Sequence, residues 1–320
     1  MDSVHYELVA SELLAGYVIP FLGAGANLAE RPPNMPWQLG AQLPSGMELA
    51  RELADRSRYP DDGIYDLQRV SQYVDAMLGE STLYRFVRSL FDADYPPNSL
   101  HRFLAAIPGL LRARQARHPL IVTTNYDDAV ERAFVEVGEE FDLVWYEAKP
   151  RNSAYGKFIH RPPGRRAVAI ELPNEYDDLS LQTRSVILKL HGAIDRTDPK
   201  RDSYVITEDD YIDYLTRGDV SIWIPSALRE AMEDSHFLFL GYSMRDWNLR
   251  VILNRIWGQQ QLDVKSWAVQ KAHPNAKHNE VEQRLWRDRG DVDRLEIDLA
   301  DYMAKLHAEV LTQAGSPAAS

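Results

Sequence analysis

The chain has 320 residues, enough for one large domain, or a domain with a sizeable insertion, around a substantial core. Its 36 basic residues against 48 acidic ones leave a net charge of −12, which argues against a general nucleic-acid surface. The absence of cysteine excludes disulfides, thiolate zinc sites, iron–sulfur clusters and cysteine nucleophiles, and with no apolar run near the ~18 residues of a membrane span the chain reads as soluble and cytoplasmic.

Short β-rich runs alternate with longer segments of helical period, an order that predicts an α/β fold with a mostly parallel sheet covered by helices on both faces. A helix over Val4 to Ala15 precedes the strand Tyr17 to Leu22. Helices follow at Gly46 to Asp55, Tyr65 to Leu78, Leu83 to Phe91 and Leu100 to Ala106, and then a strand at Leu120 to Thr124. Ser45 and Glu48 have the spacing of a capping box for the helix at Gly46. Beyond a helix at Asp128 to Val137 lies the strand Val186 to Leu190, in which Val186, Leu188 and Leu190 address one helix layer and Ile187 the other. The helix Ile222 to Asp234 leads to the strand His236 to Leu240. Helix Asn248 to Trp257, strand Lys265 to Val269, helix Val281 to Arg289, strand Val292 to Ile297 and helix Leu299 to Leu311 complete the order.

Three regions interrupt this rhythm. Residues 31–46, RPPNMPWQLGAQLPSG, are rich in proline and glycine and read as a long loop or lid beside the first strand. Residues 56–119 form a helical insertion, and 149–184 a small insertion module with a β-like run at Ala167 to Leu172. The tail 312–320 reads as disordered, leaving 1–311 as a single domain.

In an open parallel sheet, ligands bind outside the carboxyl ends of the strands, so the residues just after each strand belong together. The first strand runs into Gly23-Ala24-Gly25-Ala26-Asn27, where glycines permit a tight turn and a close approach of phosphate oxygens to backbone amides. As a dinucleotide fingerprint the loop is incomplete, because Leu28 replaces the third glycine. The second strand ends in Thr123-Thr124-Asn125-Tyr126-Asp127-Asp128, which also reads as an N-cap built on Asp127 or Asp128. A third strand ends in His191-Gly192, and a lone histidine at a strand end is more often structural than catalytic. The fourth end is Gly241-Tyr242-Ser243-Met244-Arg245-Asp246, suited to a phosphate or ribose, with Asp246 or Asn248 able to cap the next helix. Taken together, four strand ends offer small or polar residues to an anionic, hydroxyl-rich ligand, and one carries a side chain that titrates near neutrality.

In this order the segments resemble the sirtuin family, whose members carry a Gly-Ala-Gly-x-Ser loop, a Thr-Gln-Asn-Ile-Asp segment, a His-Gly and a Gly-x-Ser. The resemblance covers roughly residues 14 to 260. It departs from the family's deacylases in three places. The four-cysteine zinc module is absent, Asn27 stands where serine is usual, and the Pro-Asp-Phe-Arg stretch of the cofactor loop is missing. The wording of KLHGAID, TEDDYIDYL and FLGYSMRDWNLRVIL is similar to the bacterial sirtuin-like domains of antiphage systems.

That resemblance implies a Rossmann-like domain and hydrolysis of NAD+ to nicotinamide and ADP-ribose, without zinc. It implies Asn125 and His191 as the catalytic pair, with Asn125 on the nicotinamide ribose or the attacking water and His191 as base. Gly23, Ala24, Gly25, Asn27 and Thr124 are then cofactor-binding, the glycines taking the pyrophosphate. Asp127 takes the nicotinamide amide, Gly241 and Ser243 the adenosine side, and Gly192 gives room for the ribose. Such an enzyme depletes an infected cell of NAD+ and needs restraint, so a homo-oligomer and a separately encoded regulator or sensor, such as a HerA-type ATPase, are expected. The competing expectation is a non-catalytic subunit that binds NAD+ or ADP-ribose and gates a partner ATPase.

Overall fold

The computed structural model describes residues 3–32, 35–60, 63, 65–216, 223–243, 262–287 and 290–315. Helix α1 (Ser3–Leu14) leads to β1 (Val18–Leu22), all of whose residues are buried. A 3-10 turn at Ala24–Leu28 follows, then α2 (Gly46–Ser57), α3 (Leu67–Leu78), α4 (Glu80–Phe91) and α5 (Ser99–Ala113). Next come β2 (Leu120–Thr123), α6 (Ala129–Glu136), β3 (Phe141–Tyr146), β4 (Phe158–Arg161) and β5 (Val168–Ala169). Strand β6 (Ser185–Lys189) precedes a small antiparallel pair, β7 (Gly192–Ala193) and β8 (Ser203–Tyr204), and then α7 (Glu208–Thr216) and α8 (Ser226–Glu233). The last elements are β9 (His236–Leu240), β10 (Leu262–Val269), α9 (Ala276–Arg287), β11 (Gly290–Leu295) and α10 (Leu299–Gly315).

Nine strands form one sheet in the order β11-β10-β9-β1-β2-β6-β3-β4-β5, parallel from β11 to β3 and antiparallel at β4 and β5. A parallel sheet must be covered on both faces, which is why runs such as HFLFL and VILKL are nearly continuous in apolar residues. Val186, Leu188 and Leu190 enter the core formed with α7, α8 and α9, while Ile187 enters the opposite core under α1, α5, α6 and α10. A third core unites α2, α3 and α4 with Tyr126, Ile194 and Tyr204. Strand order reverses between β1 and β9, the kind of switch point at which such sheets bind ligands.

The six strands anticipated from sequence are all present and all parallel. Strand β3 was not anticipated, because Asp142 interrupts its apolar pattern. That carboxylate is wholly buried, bonded to His160 Nε2 at 3.1 Å and to Arg184 Nε at 3.2 Å. The 149–184 segment contributes β4 and β5, which extend the sheet as an antiparallel edge. Helix α5 passes the expected end at Ala106 and continues through Pro108, since Ile107 and Leu111 are buried in its core face. Helix α7 was also unanticipated, and Thr312 to Gly315 are helical rather than part of a disordered tail. The helix expected over Asn248 to Trp257 and the caps Asp246 and Asn248 lie outside the described residues, as do 316–320.

Candidate functional site

The loops leaving β9, β1, β2 and β6 stand side by side because these are four consecutive neighbours in the sheet. Together they border a cleft of about 300 Å³, at the small end of the range of ligand pockets. Ala24, Asn27, Thr124, Asn125, Asp127, His191, Gly241 and Ser243 line it. Gly23 and Gly25 are not among its lining residues and stand against Gly241, in the seam between the β1 and β9 loops.

That seam explains the glycines. A Cβ on Gly25 would come within 2.7 Å of the Gly241 carbonyl oxygen, and one on Gly241, whose φ is +76°, within 2.1 Å of the Ala26 nitrogen. The Gly23 amide donates to Leu240 O at 3.0 Å and the Gly25 amide to Gly241 O at 3.1 Å. The two amides expected to meet pyrophosphate are therefore engaged in joining the β1 and β9 loops, and the glycines serve close backbone packing. Gly192 behaves similarly. Its φ is +84° and a Cβ would sit 2.1 Å from Ser203 O, so its small size serves the contact with β8.

The β2 loop is held by its own side chains. Thr123 Oγ1 donates to Leu22 O at 2.9 Å and accepts the Asn125 amide at 3.0 Å. Asn125 Nδ2 donates to Gly23 O at 3.1 Å, which leaves the carboxamide oxygen as the end available to a ligand. Thr124 Oγ1 lies 2.6 Å from the hydroxyl of Tyr242, which itself donates to Leu22 O. Asp127 is buried, accepting Asn27 Nδ2 at 2.8 Å and the Ala129 amide at 3.1 Å. It is thus both a side-chain acceptor at the start of α6 and part of the cleft wall. Asp128 instead pairs with Arg196.

His191 is 4% exposed, with Nδ1 3.3 Å from the Tyr211 hydroxyl and Nε2 buried without a partner among the described residues. The rings of Tyr211 and Tyr214 stand nearly at right angles to the imidazole. Burial pushes its pKa down to about 3, so the imidazole is neutral at physiological pH. With a proton on Nδ1, directed to the tyrosine oxygen, Nε2 is a lone-pair acceptor. Asn27 Oδ1 is a second buried acceptor in the cleft wall without a partner among the described residues. The hydroxyl of Ser243 donates to the buried carboxylate of Glu282.

Sequence reasoning missed Tyr211, Tyr242, Ser45 and Gln68 as cleft residues. The two tyrosines stand in segments already singled out by their wording, which was the available signal. Ser45 closes the long loop as the N-cap of α2, with the anticipated capping box formed: Ser45 N donates to Glu48 Oε2 at 2.8 Å and Glu48 N to Ser45 Oγ at 3.3 Å. That box fixes the end of residues 31–46 as one side of the cleft. Among the described residues no group of three histidine or acidic side chains is placed to hold a metal ion.

Comparison with known proteins adds family membership. Residues 119–290 match the SIR2-like domain. Defense-associated sirtuin 2 of Bacillus subtilis is 24% identical over 241 residues, covering 75% of this chain and 19% of that protein. The NAD(+) hydrolase ThsA of Cytobacillus dafuensis is 26% identical over 208 residues, covering 65% of this chain and 34% of that one. The chain thus spans about a fifth and a third of the lengths of these curated relatives. A solved structure described as "Structural Basis for the Mechanism and Regulation of Sir2 Enzymes" aligns with 98% of this chain and 100% of its own, at 16% identity and a TM-score of 0.40. With more than half of its residues matched by the SIR2-like domain, the chain belongs to the SIR2-like family.

Proposed function

We propose that the protein is a NAD+ hydrolase, cleaving the bond between nicotinamide and ribose, and that it serves bacterial antiphage defence by depleting NAD+. The observation that carries this reading is the convergence of four sirtuin-like strand ends on one cleft, with Nε2 of a neutral His191, unpartnered among the described residues, in its wall. The names of the two curated relatives, one a NAD+ hydrolase and one a defence-associated sirtuin, support the same reading.

The chemistry follows from charge. In NAD+ the positive charge resides on the pyridinium ring, and as nicotinamide leaves neutral it passes to the ribose carbon. A protonated histidine would repel both the substrate and the oxocarbenium-like transition state, whereas a buried, neutral imidazole does not. Water that adds to such a carbon becomes strongly acidic, so an acceptor as weak as the buried His191 suffices to take its proton. The Asn125 carboxamide, anchored by its nitrogen on Gly23 O, offers its oxygen to orient that water or a ribose hydroxyl. The Asp127 carboxylate accepts from the nicotinamide amide. The products are nicotinamide, ADP-ribose and a proton.

Freely acting NAD+ hydrolysis is toxic to the host, so the reading includes control by oligomerisation or a separately encoded regulator. The test is release of nicotinamide from NAD+ by the purified protein, alone and with the products of neighbouring genes. Activity that vanishes in Asn125→Ala and His191→Ala supports the proposal. Intact NAD+ in every combination, or full activity in both variants, overturns it. Calorimetric binding of NAD+ or ADP-ribose without turnover selects instead the non-catalytic regulatory subunit.

A further inference from the structure

Lys189 is 1% exposed, although lysine is rarely buried without an ionic partner. It is the last residue of β6 and is separated from His191 by Leu190 alone. Its ammonium donates to the backbone carbonyl of Asp127 and, at 2.8 Å, to Glu131 Oε1 in the first turn of α6. A lysine is the wrong charge for a helix N-terminus, where the dipole favours anions, so helix stability does not account for this position. Glu131 supplies the compensating charge, and burial still holds its pKa above the usual carboxylate range. Below this cluster the strands are already in register, with Lys189 opposite Thr123 and the Leu190 amide donating to Thr123 O at 2.9 Å. Beyond that bond β2 runs into Asn125 and Asp127 and β6 into His191, and the two segments meet again where the Ile194 amide donates to Tyr126 O at 2.9 Å. The ammonium adds a side-chain tie between them.

Resting on the proposed NAD+ hydrolase reading, we propose that Lys189 is a positioning residue that ties the loop bearing Asn125 and Asp127 to the strand bearing His191. It touches no substrate. Its grip on the Asp127 carbonyl sets the spacing between the acceptor on one side of the cleft and the carboxamide on the other. Thr123 and Gly23 hold Asn125 from the β1 side, Asn27 holds the Asp127 carboxylate, Arg196 pairs with Asp128 and the Ile194 amide donates to Tyr126 O at 2.9 Å, while this ammonium takes the Asp127 carbonyl.

The single variant Lys189→Met strands Glu131 in the core and can fail to fold, so the informative variant is Lys189→Met with Glu131→Leu. Replacing a buried ion pair by apolar residues is commonly neutral or stabilising. Two measurements decide the matter: kcat for nicotinamide release at saturating NAD+, and amide hydrogen exchange. The expected result for the double variant is a wild-type melting temperature with faster exchange at 124–129, while amides of β2 and β6 stay protected. Its kcat falls about 10²-fold, the usual consequence of a misplaced catalytic group. Glu131→Gln keeps an acceptor for Lys189 and the bond to Asp127, and retains more turnover than the double variant. Wild-type exchange at 124–129 in the double variant, or equal loss of turnover in both variants, overturns the proposal and leaves Lys189 as the charge partner of Glu131. If the wild-type protein releases no nicotinamide, the hydrolase reading fails while the exchange measurement still decides whether Lys189 holds the loop.

Discussion

Asn27 Nδ2 donates to Asp127 Oδ2 across 2.8 Å, joining the loop after β1 to the loop after β2 at a separation of 100 residues in the chain. Asn27 stands where the sirtuin family usually has serine, and a serine hydroxyl is too short to span the same gap. The asparagine therefore orients the carboxylate assigned to the nicotinamide amide. Asn27→Ala leaves Asp127 buried with one donor fewer, a change that costs about 1–3 kcal/mol of stability. The expected readout is a higher KM for NAD+ together with a lower urea midpoint. Asn27→Asp sets a second carboxylate against the first and raises KM further, because one of the two must then hold a proton. An unchanged KM in both variants removes Asp127 from the nicotinamide site.

His191 makes a pH prediction with a definite sign. In the unfolded chain a histidine takes up its proton near pH 6.5, whereas the folded ring stays neutral to about 3. Between those values the unfolded state binds more protons, so stability falls as pH falls and is at its full value above 6.5. His191 contributes a slope of about 1.4 kcal/mol per pH unit in that window. His101, lowered to about 4 chiefly by burial and opposed by the charge of Asp127, acts in the same direction over the upper part of it. Denaturant titrations from pH 7 to 4 should show this slope diminished in His191→Gln. The same burial predicts that kcat/KM, which reports the free enzyme, has no inflection at 6.5 from this histidine.

Tyr211 separates the two functions of that imidazole. Tyr211→Phe keeps the ring against His191 and removes the hydroxyl beside Nδ1. His191→Ala is expected to lose about 10²–10⁴-fold in turnover, the usual worth of a general base. Tyr211→Phe loses a smaller part in kcat, with KM near wild type, since the acceptor remains and only its tautomer and orientation are loosened. A loss equal to that of His191→Ala gives the tyrosine a direct part in the chemistry.

The sheet was legible in the sequence because buried parallel strands leave dense apolar runs, and β1, β2, β6 and β9 carry them. Their adjacency is what made the strand-end residues meet. Strand β3 was hidden by Asp142, a charge whose burial depends on His160 and Arg184 from distant segments. The end expected for α5 at Ala106 fell short, because the helix continues through Pro108, its further residues Ile107 and Leu111 packing in a core that local propensity does not register. In the VILKL strand, Lys189 shares the face of Ile187, which the sequence assigns to a helix layer without naming a partner for the charge; that partner is Glu131 of α6, with the Asp127 carbonyl beside it. The glycines were recognised as necessary, and in the structure what approaches Gly23 and Gly25 is the backbone of Gly241.

That close approach gives the last prediction its internal control. Gly241 and Gly138 both have positive φ, +76° and +72°, so alanine at either position carries the same kind of backbone cost, about 1–2 kcal/mol. At Gly138 a Cβ meets nothing within 4 Å, whereas at Gly241 it falls 2.1 Å from the Ala26 nitrogen and 2.5 Å from the Gly25 carbonyl carbon. Those atoms are backbone and cannot rotate away, so the β1 and β9 loops must separate. Gly241→Ala should therefore destabilise the protein well beyond Gly138→Ala and abolish turnover, while Gly138→Ala keeps it. Thermal unfolding and nicotinamide release on the two variants check this. Equal melting temperatures would mean that the loops are not packed backbone to backbone and that the floor of the cleft is built in some other way.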